Sequence, residues 1–131
     1  MGNIRIYPVI ITKNDNDTVP YFVEIPALDG YTQGTDIPDA ITNARDYIGL
    51  VLMDKLDSKE PLPRSIFKTP KIKDAIVNLI DVDVDKYKKE HDMKKVKKTV
   101  MIPNYLNEKG NEAGLNFSEL LTKAVEKAVK A

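Results

Sequence analysis

Apolar positions along the chain change period at clear places, and those places mark the elements. Ile6, Val9, Ile10 and Ile11 make residues 5–13 a β-branched run of strand length, closed by the polar turn Asn14-Asp15-Asn16-Asp17. Tyr21-Phe22-Val23-Glu24-Ile25 predicts a second strand, hairpinned to the first. Asp29-Gly30 then turns the chain into a short third strand, Tyr31-Thr32-Gln33-Gly34. Beyond it Ala40, Ile41, Ala44, Ile48, Val51 and Leu52 recur at helical spacing. Thr35 or Asp36 can cap this helix, and Pro38 falls in the first turn, where its missing N–H costs nothing. It is expected to end near Leu56. Pro61, Pro63 and Pro70 make 59–70 a loop, 71–74 a short turn, and the β-branched stretch 75–84 a fourth strand. Asp81, Asp83 and Asp85 alternate with Val82 and Val84, which places the three carboxylates on one strand face.

Residues 85–95 are charged and poorly periodic, and read as a linker with room for one helical turn at Tyr87. A basic strand follows at 96–102, then a short helix at 104–113 broken by Gly114. A last helix is capped by Asn116, with Glu119 three residues on in a capping-box pattern. Its apolar face is Phe117, Leu120, Leu121, Ala124, Val125, Ala128 and Val129. A strand and two short helices cannot bury a core alone. They make physical sense as half of an intertwined dimer, held by Val100, Ile102, Phe117, Leu120, Leu121 and Val125. The domain reading is therefore 1–85, a linker at 86–95, and a dimerisation module at 96–131.

The tail strand has two faces. Val96, Val100 and Ile102 point one way; Lys97, Thr99 and Met101 point the other, with Lys98 interrupting the apolar row on a stem long enough to snorkel. Paired strands of this kind enter the major groove of DNA. There Lys97 can reach guanine acceptors or a phosphate, Thr99 can donate, accept or touch a thymine methyl, and Met101 makes apolar contact. The amides of Asn116 and Phe117, at a helix start, can hold a phosphate. Lys94, Lys95 and Lys98 add attraction independent of sequence. The competing reading is an edge strand guarded by lysines.

Charge sharpens this picture. Residues 1–93 carry 12 Lys and Arg against 16 Asp and Glu, a net of −4, and residues 94–131 carry 8 Lys against 4 Glu, a net of +4. An acidic body on a basic tail suits two different partners. There is no Cys, hence no disulfide, thiol nucleophile or thiolate metal site. No apolar run is long enough for a bilayer and the N-terminus has no signal-peptide pattern, so a cytoplasmic protein without membrane contact is expected.

Both halves resemble one family. Glu24-Ile25-Pro26-Ala27-Leu28-Asp29-Gly30-Tyr31-Thr32-Gln33-Gly34, then Ala40 with Asn43-Ala44, then Glu60-Pro61-Leu62-Pro63, look like the HicB antitoxins of bacterial toxin–antitoxin pairs. The tail, Lys97-Lys98-Thr99-Val100-Met101-Ile102-Pro103 with Gly114-Leu115-Asn116-Phe117-Ser118, resembles a ribbon-helix-helix module. The stretch between Pro103 and Gly114 is shorter than in many members by about one helical turn, a loss that preserves helix facing. The resemblance implies an α+β protein: a partial ribonuclease-H-like βββαβ domain followed by a βαα dimer module. It implies an antitoxin that inhibits a HicA-type mRNA-cleaving ribonuclease toxin. As a homodimer, or in a larger assembly with toxin, it would bind operator DNA and repress its own operon.

Other chemistry is weak. His91, the only histidine, lies beside Glu90 and Asp92 and reads as solvated. Asp81, Asp83 and Asp85 are candidates for facing the basic toxin, or water, more than for a metal ion. Ribonuclease-H chemistry needs converging carboxylates, one from the first strand, and residues 4–13 hold none. The expectation is a binding scaffold with no catalytic residue, no metal and no cofactor. Two classes compete with it. One is a dimeric regulator whose N-terminal domain senses a ligand; the other is a metal-dependent nuclease.

Overall fold

In the computed structural model, which describes residues 3–130, the order is β1 (Ile4–Lys13), β2 (Tyr21–Ile25), a 3-10 turn (Pro26–Leu28), β3 (Gly30–Gly34), α1 (Ile37–Asp57), β4 (Ile76–Asp83), α2 (Val84–His91), α3 (Asn104–Glu112) and α4 (Phe117–Lys130). It is a mixed α/β chain with one four-stranded antiparallel sheet, ordered β3-β2-β1-β4. The chain divides into two compact units between Met93 and Lys94.

The first unit is built by one helix on one sheet face. The β1–β2 turn is held by Asn14, whose N–H donates to the Pro20 carbonyl at 2.7 Å and whose side-chain oxygen accepts from the Asn16 N–H at 3.1 Å. After β3 the chain turns into α1. Asp36 caps the helix by accepting from the Asp39 N–H at 2.8 Å, as the cap position requires. Period two turns Tyr7, Val9 and Ile11 of β1, Val23 and Ile25 of β2, and Ile80 and Val82 of β4 toward Ala40, Ala44, Ile48 and Leu52 of α1; all of them are buried. The helix then delivers the chain to the far edge, where β4 pairs with β1 from Ile4↔Asp83 to Ile11↔Ile76.

Pro8 sits inside a central strand without cost. Its ring nitrogen points toward β2, and β2 pairs with β1 only at residues 10–13. The Pro-rich loop fills the space instead: Ser65 Oγ accepts from the Ile6 N–H at 3.0 Å, the Ile66 N–H donates to the Ile6 carbonyl at 2.9 Å, and the Tyr7 hydroxyl donates to the Pro63 carbonyl at 2.6 Å.

One expectation is corrected, and one is not met within a single chain. The expected linker at 86–95 is mostly helix. Asp83 ends β4 and caps α2 by accepting from the Lys86 N–H at 3.2 Å. Tyr87 then packs on α1 directly over Gly49, where any Cβ would lie 2.5 Å from its ring, and donates to Asp46 Oδ1 at 2.6 Å. Only Val84 and Tyr87 are buried in α2, too few apolar positions to make a period in the sequence. The expected strand at 96–102 is not formed: residues 92–103 carry neither helix nor strand. A strand is defined by the ladder it shares with a neighbour, and among the described residues no strand is paired with this segment.

Candidate dimer and nucleic-acid interface

The second unit is two helices and a tight corner. Pro103 opens α3, its carbonyl accepting from the N–H groups of Leu106 and Asn107, both at 3.1 Å. The corner is a Schellman motif: the Leu115 N–H donates to the Gly110 carbonyl at 3.0 Å and the Gly114 N–H to the Asn111 carbonyl at 3.1 Å. Gly114 holds a φ of 69°, the left-handed geometry that the motif needs and that glycine takes without penalty. Asn116 Oδ1 accepts from the Glu119 N–H at 3.1 Å and so starts α4. Only this half of the expected capping box forms, because the Glu119 carboxylate pairs forward with Lys123 at 3.1 Å.

Gly110 of α3 is a packing requirement. It is the one buried residue among the described residues of this unit, and the Phe117 ring lies over it, 2.4 Å from where a Cβ would stand. That contact joins α3 to α4. Little else of the apolar surface is covered. Val100 is 55% exposed, Ile102 47%, Leu120 48%, Val125 52% and Phe117 38%, while Leu121 is partly buried. Six positions expected to form a dimer core are thus outside any core within one chain. Lys95, Lys97, Lys98 and Thr99 are exposed in the same segment, and Met101 is almost wholly so.

The acidic row of the first unit does not exist as one face. Asp81 lies on β4 and meets Arg45 of α1, which reaches its carboxylate at 3.3 Å and its carbonyl oxygen at 3.1 Å. Asp83 caps α2. Asp85 belongs to the first turn of α2 and accepts from the backbone and side-chain N–H groups of Asn3 at 3.0 and 3.3 Å. The strand ends two residues before Asp85, so alternation stops there. No group of three or more His, Asp or Glu among the described residues could hold a metal ion. His91 is exposed, yet it stacks on Tyr87 with ring centroids 4.0 Å apart. The sequence reading missed a second aromatic pair: Phe22 and Tyr31 stack at 5.4 Å on the sheet face turned away from α1, both about half exposed. Their signal is the alternation of β2 and β3, whose other face supplies Val23 and Ile25 to the core.

Residues 7–125 match the family described as HicB_like antitoxin of bacterial toxin-antitoxin system. The chain belongs to that family. The antitoxin is also similar, at 25% identity and a TM-score of 0.64, to a chain of the toxin–antitoxin complex from Streptococcus pneumoniae, over 95% of this chain and 99% of that one. The antitoxin HicB of Burkholderia pseudomallei shares the fold, with a TM-score of 0.55 at 23% identity over 96% and 97% of the two chains. A curated relative, an uncharacterized 14.9 kDa protein of the rep-hol intergenic region of Haemophilus phage HP1, is 33% identical over 86 residues. That match takes in 60% of the antitoxin and 62% of the phage protein. Among the described residues, no helix of the antitoxin is long and apolar enough to cross a membrane.

Proposed function

We propose that this antitoxin neutralises a HicA-type mRNA-cleaving ribonuclease toxin through its first unit and, as a dimer formed by residues 94–131, binds the operator of its own operon. In this reading the first unit is a partial ribonuclease-H-like scaffold without catalytic carboxylates on its first strand. The second unit is a ribbon-helix-helix module whose strands at 96–102 pair across the dimer. The observation that carries the reading is the coincidence, within one segment, of an uncovered apolar face and a net charge of +4. Pairing two copies would give the strand its ladder, cover Val100, Ile102, Leu120, Leu121 and Val125, and leave Lys97, Thr99 and Met101 projecting. Lys95, Lys98 and the helix start at Asn116 and Phe117 would then hold the DNA backbone. Asp81, Asp83 and Asp85 remain candidates for the toxin face, now as three separate carboxylates.

The test uses the purified antitoxin with the product of the neighbouring gene. The expected result is a stable complex that no longer cleaves RNA, and footprinting that protects a site upstream of the gene pair. Undiminished cleavage at saturating antitoxin would reject the toxin half of the proposal, and no footprint at low salt would reject the DNA half.

A further inference from the structure

Strand β4 is an edge of the sheet, and its neighbour reveals which of its backbone groups face outward. Ile6, opposite Asp81, bonds Ser65 and Ile66 and gives nothing to β4. Opposed residues of an antiparallel pair exchange both hydrogen bonds or neither. Asp81 therefore points its N–H and C=O out of the sheet, and Arg45 Nε donates to that carbonyl at 3.1 Å. Period two gives Val77 and Leu79 the same outward direction. No hydrogen bond among the described residues meets their outward groups.

Natural edges are blunted by lysine, proline or a bulge. The run Ile76-Val77-Asn78-Leu79-Ile80 has none of these, and Ile76 and Leu79 are 42% and 40% exposed. The other edge, β3, is five residues long with glycine at both ends, and Asn43 Nδ2 donates to the Gln33 carbonyl at 2.8 Å. β4 is the open edge.

We infer that β4 pairs antiparallel with β4 of a second copy, about a two-fold axis at Asn78, joining two sheets into one. The strand is complementary to itself in this register. Val77 falls opposite Leu79 of the second copy on the outer face, and Ile76 opposite its Ile80 on the helix face, so each central pair is apolar. Asp81 and Asp83 fall beyond the start of the second copy's strand, which begins at Ile76, so no like charges oppose one another within the paired segment. A parallel in-register pairing would instead set Asp81 against Asp81. This interface is separate from the one proposed for residues 94–131, and a chain that meets a different copy through each assembles beyond a dimer.

The experiment is sedimentation velocity on the full chain and on two variants, N78K and N78D, with circular dichroism as the folding control. Asn78 is exposed, so neither change disturbs the core. Each variant sets two like charges across the axis and is expected to weaken the edge association about tenfold or more. An equimolar mixture of the two is expected to restore the wild-type mass, because the charges then oppose. Loss of one association step in each variant, regained on mixing, supports the pairing. Equal masses for wild type and both variants, or a mixture that stays small, overturns it. If the variants keep the wild-type mass but lose toxin capture, the edge takes a strand of the toxin and self-pairing is wrong. L121A on the same chain reports the C-terminal association separately, so failure of one interface is not mistaken for failure of the other.

Discussion

Single residues in the tail separate reading from holding. Thr99 carries no charge, so Thr99→Ala is expected to cost about 1–3 kcal/mol on operator DNA, the range for removing one base-reading side chain, and little on random DNA. Lys95→Ala should weaken both duplexes alike and lower the salt slope by about one unit for each phosphate it no longer neutralises. Titration of both variants against operator and scrambled duplexes at several salt concentrations decides; an equal effect of Thr99→Ala on the two would mean that the odd-numbered face does not read bases. The glycines of the corner form a second pair of contrasts. At Gly110 a methyl group would meet the Phe117 ring at 2.4 Å, and the resulting overpacking should cost roughly 1–3 kcal/mol. At Gly114 nothing lies within 4 Å and the cost of alanine is the left-handed backbone alone, about 1–2 kcal/mol. Both should lower Tm and weaken dimerisation, and Gly110→Ala should weaken it more, because it also displaces Phe117. Equal dimer affinity in the two variants would disconnect that ring from the interface.

Among the elements, α2 depends on its anchor. Its Tyr87 hydroxyl is held above its ordinary pKa of 10.0, by burial first and by the hydrogen bond to Asp46 second. Burial also raises Tyr7. The folded chain therefore keeps phenolic protons that the unfolded chain releases. Stability from this source is complete below pH ~10 and declines as the pH rises further. Tyr87→Phe should cost about 0.5–1.5 kcal/mol at neutral pH, since exposed Asp46 regains water, and should flatten the alkaline decline. Tyr7 keeps part of that decline in the variant. Urea unfolding of wild type and variant at pH 7 and above pH 10 would check it; parallel pH profiles would show that the Tyr87 proton is not retained on folding.

At the scale of the whole molecule, the division between Met93 and Lys94 predicts separable roles. Removing residues 94–131 should abolish operator binding and leave toxin neutralisation largely intact. Mixing the truncated chain with toxin and following RNA cleavage tests this; full toxin activity would reject the two-module proposal. Phe117→Ala and Leu121→Ala in the full chain should each weaken the dimer by about 2–5 kcal/mol, the cost of deleting large apolar side chains from a core that exists only between copies. Unchanged association in both would place the interface elsewhere.

The strands, the long helix and the capped last helix were legible in the sequence because each carries its own periodic signal. Ile6 to Ile11, Val23 with Ile25, and Ala40 to Leu52 announce their buried faces through local spacing alone. The family resemblance was legible for the same reason, as an ordered series of local motifs. What the sequence could not show depends on partners distant along the chain. α2 looked like linker because its stability comes from Tyr87 meeting Asp46 and Gly49, some forty positions away. The aspartate row looked continuous because alternation does not reveal where Asp83 will stop a strand and cap a helix. The role of Gly110 was hidden as well, because only the folded corner brings Phe117 over it. The openness of the β4 edge was likewise decided by tertiary structure, since it depends on which backbone groups β1, Arg45 and the loop at 59–70 leave unsatisfied.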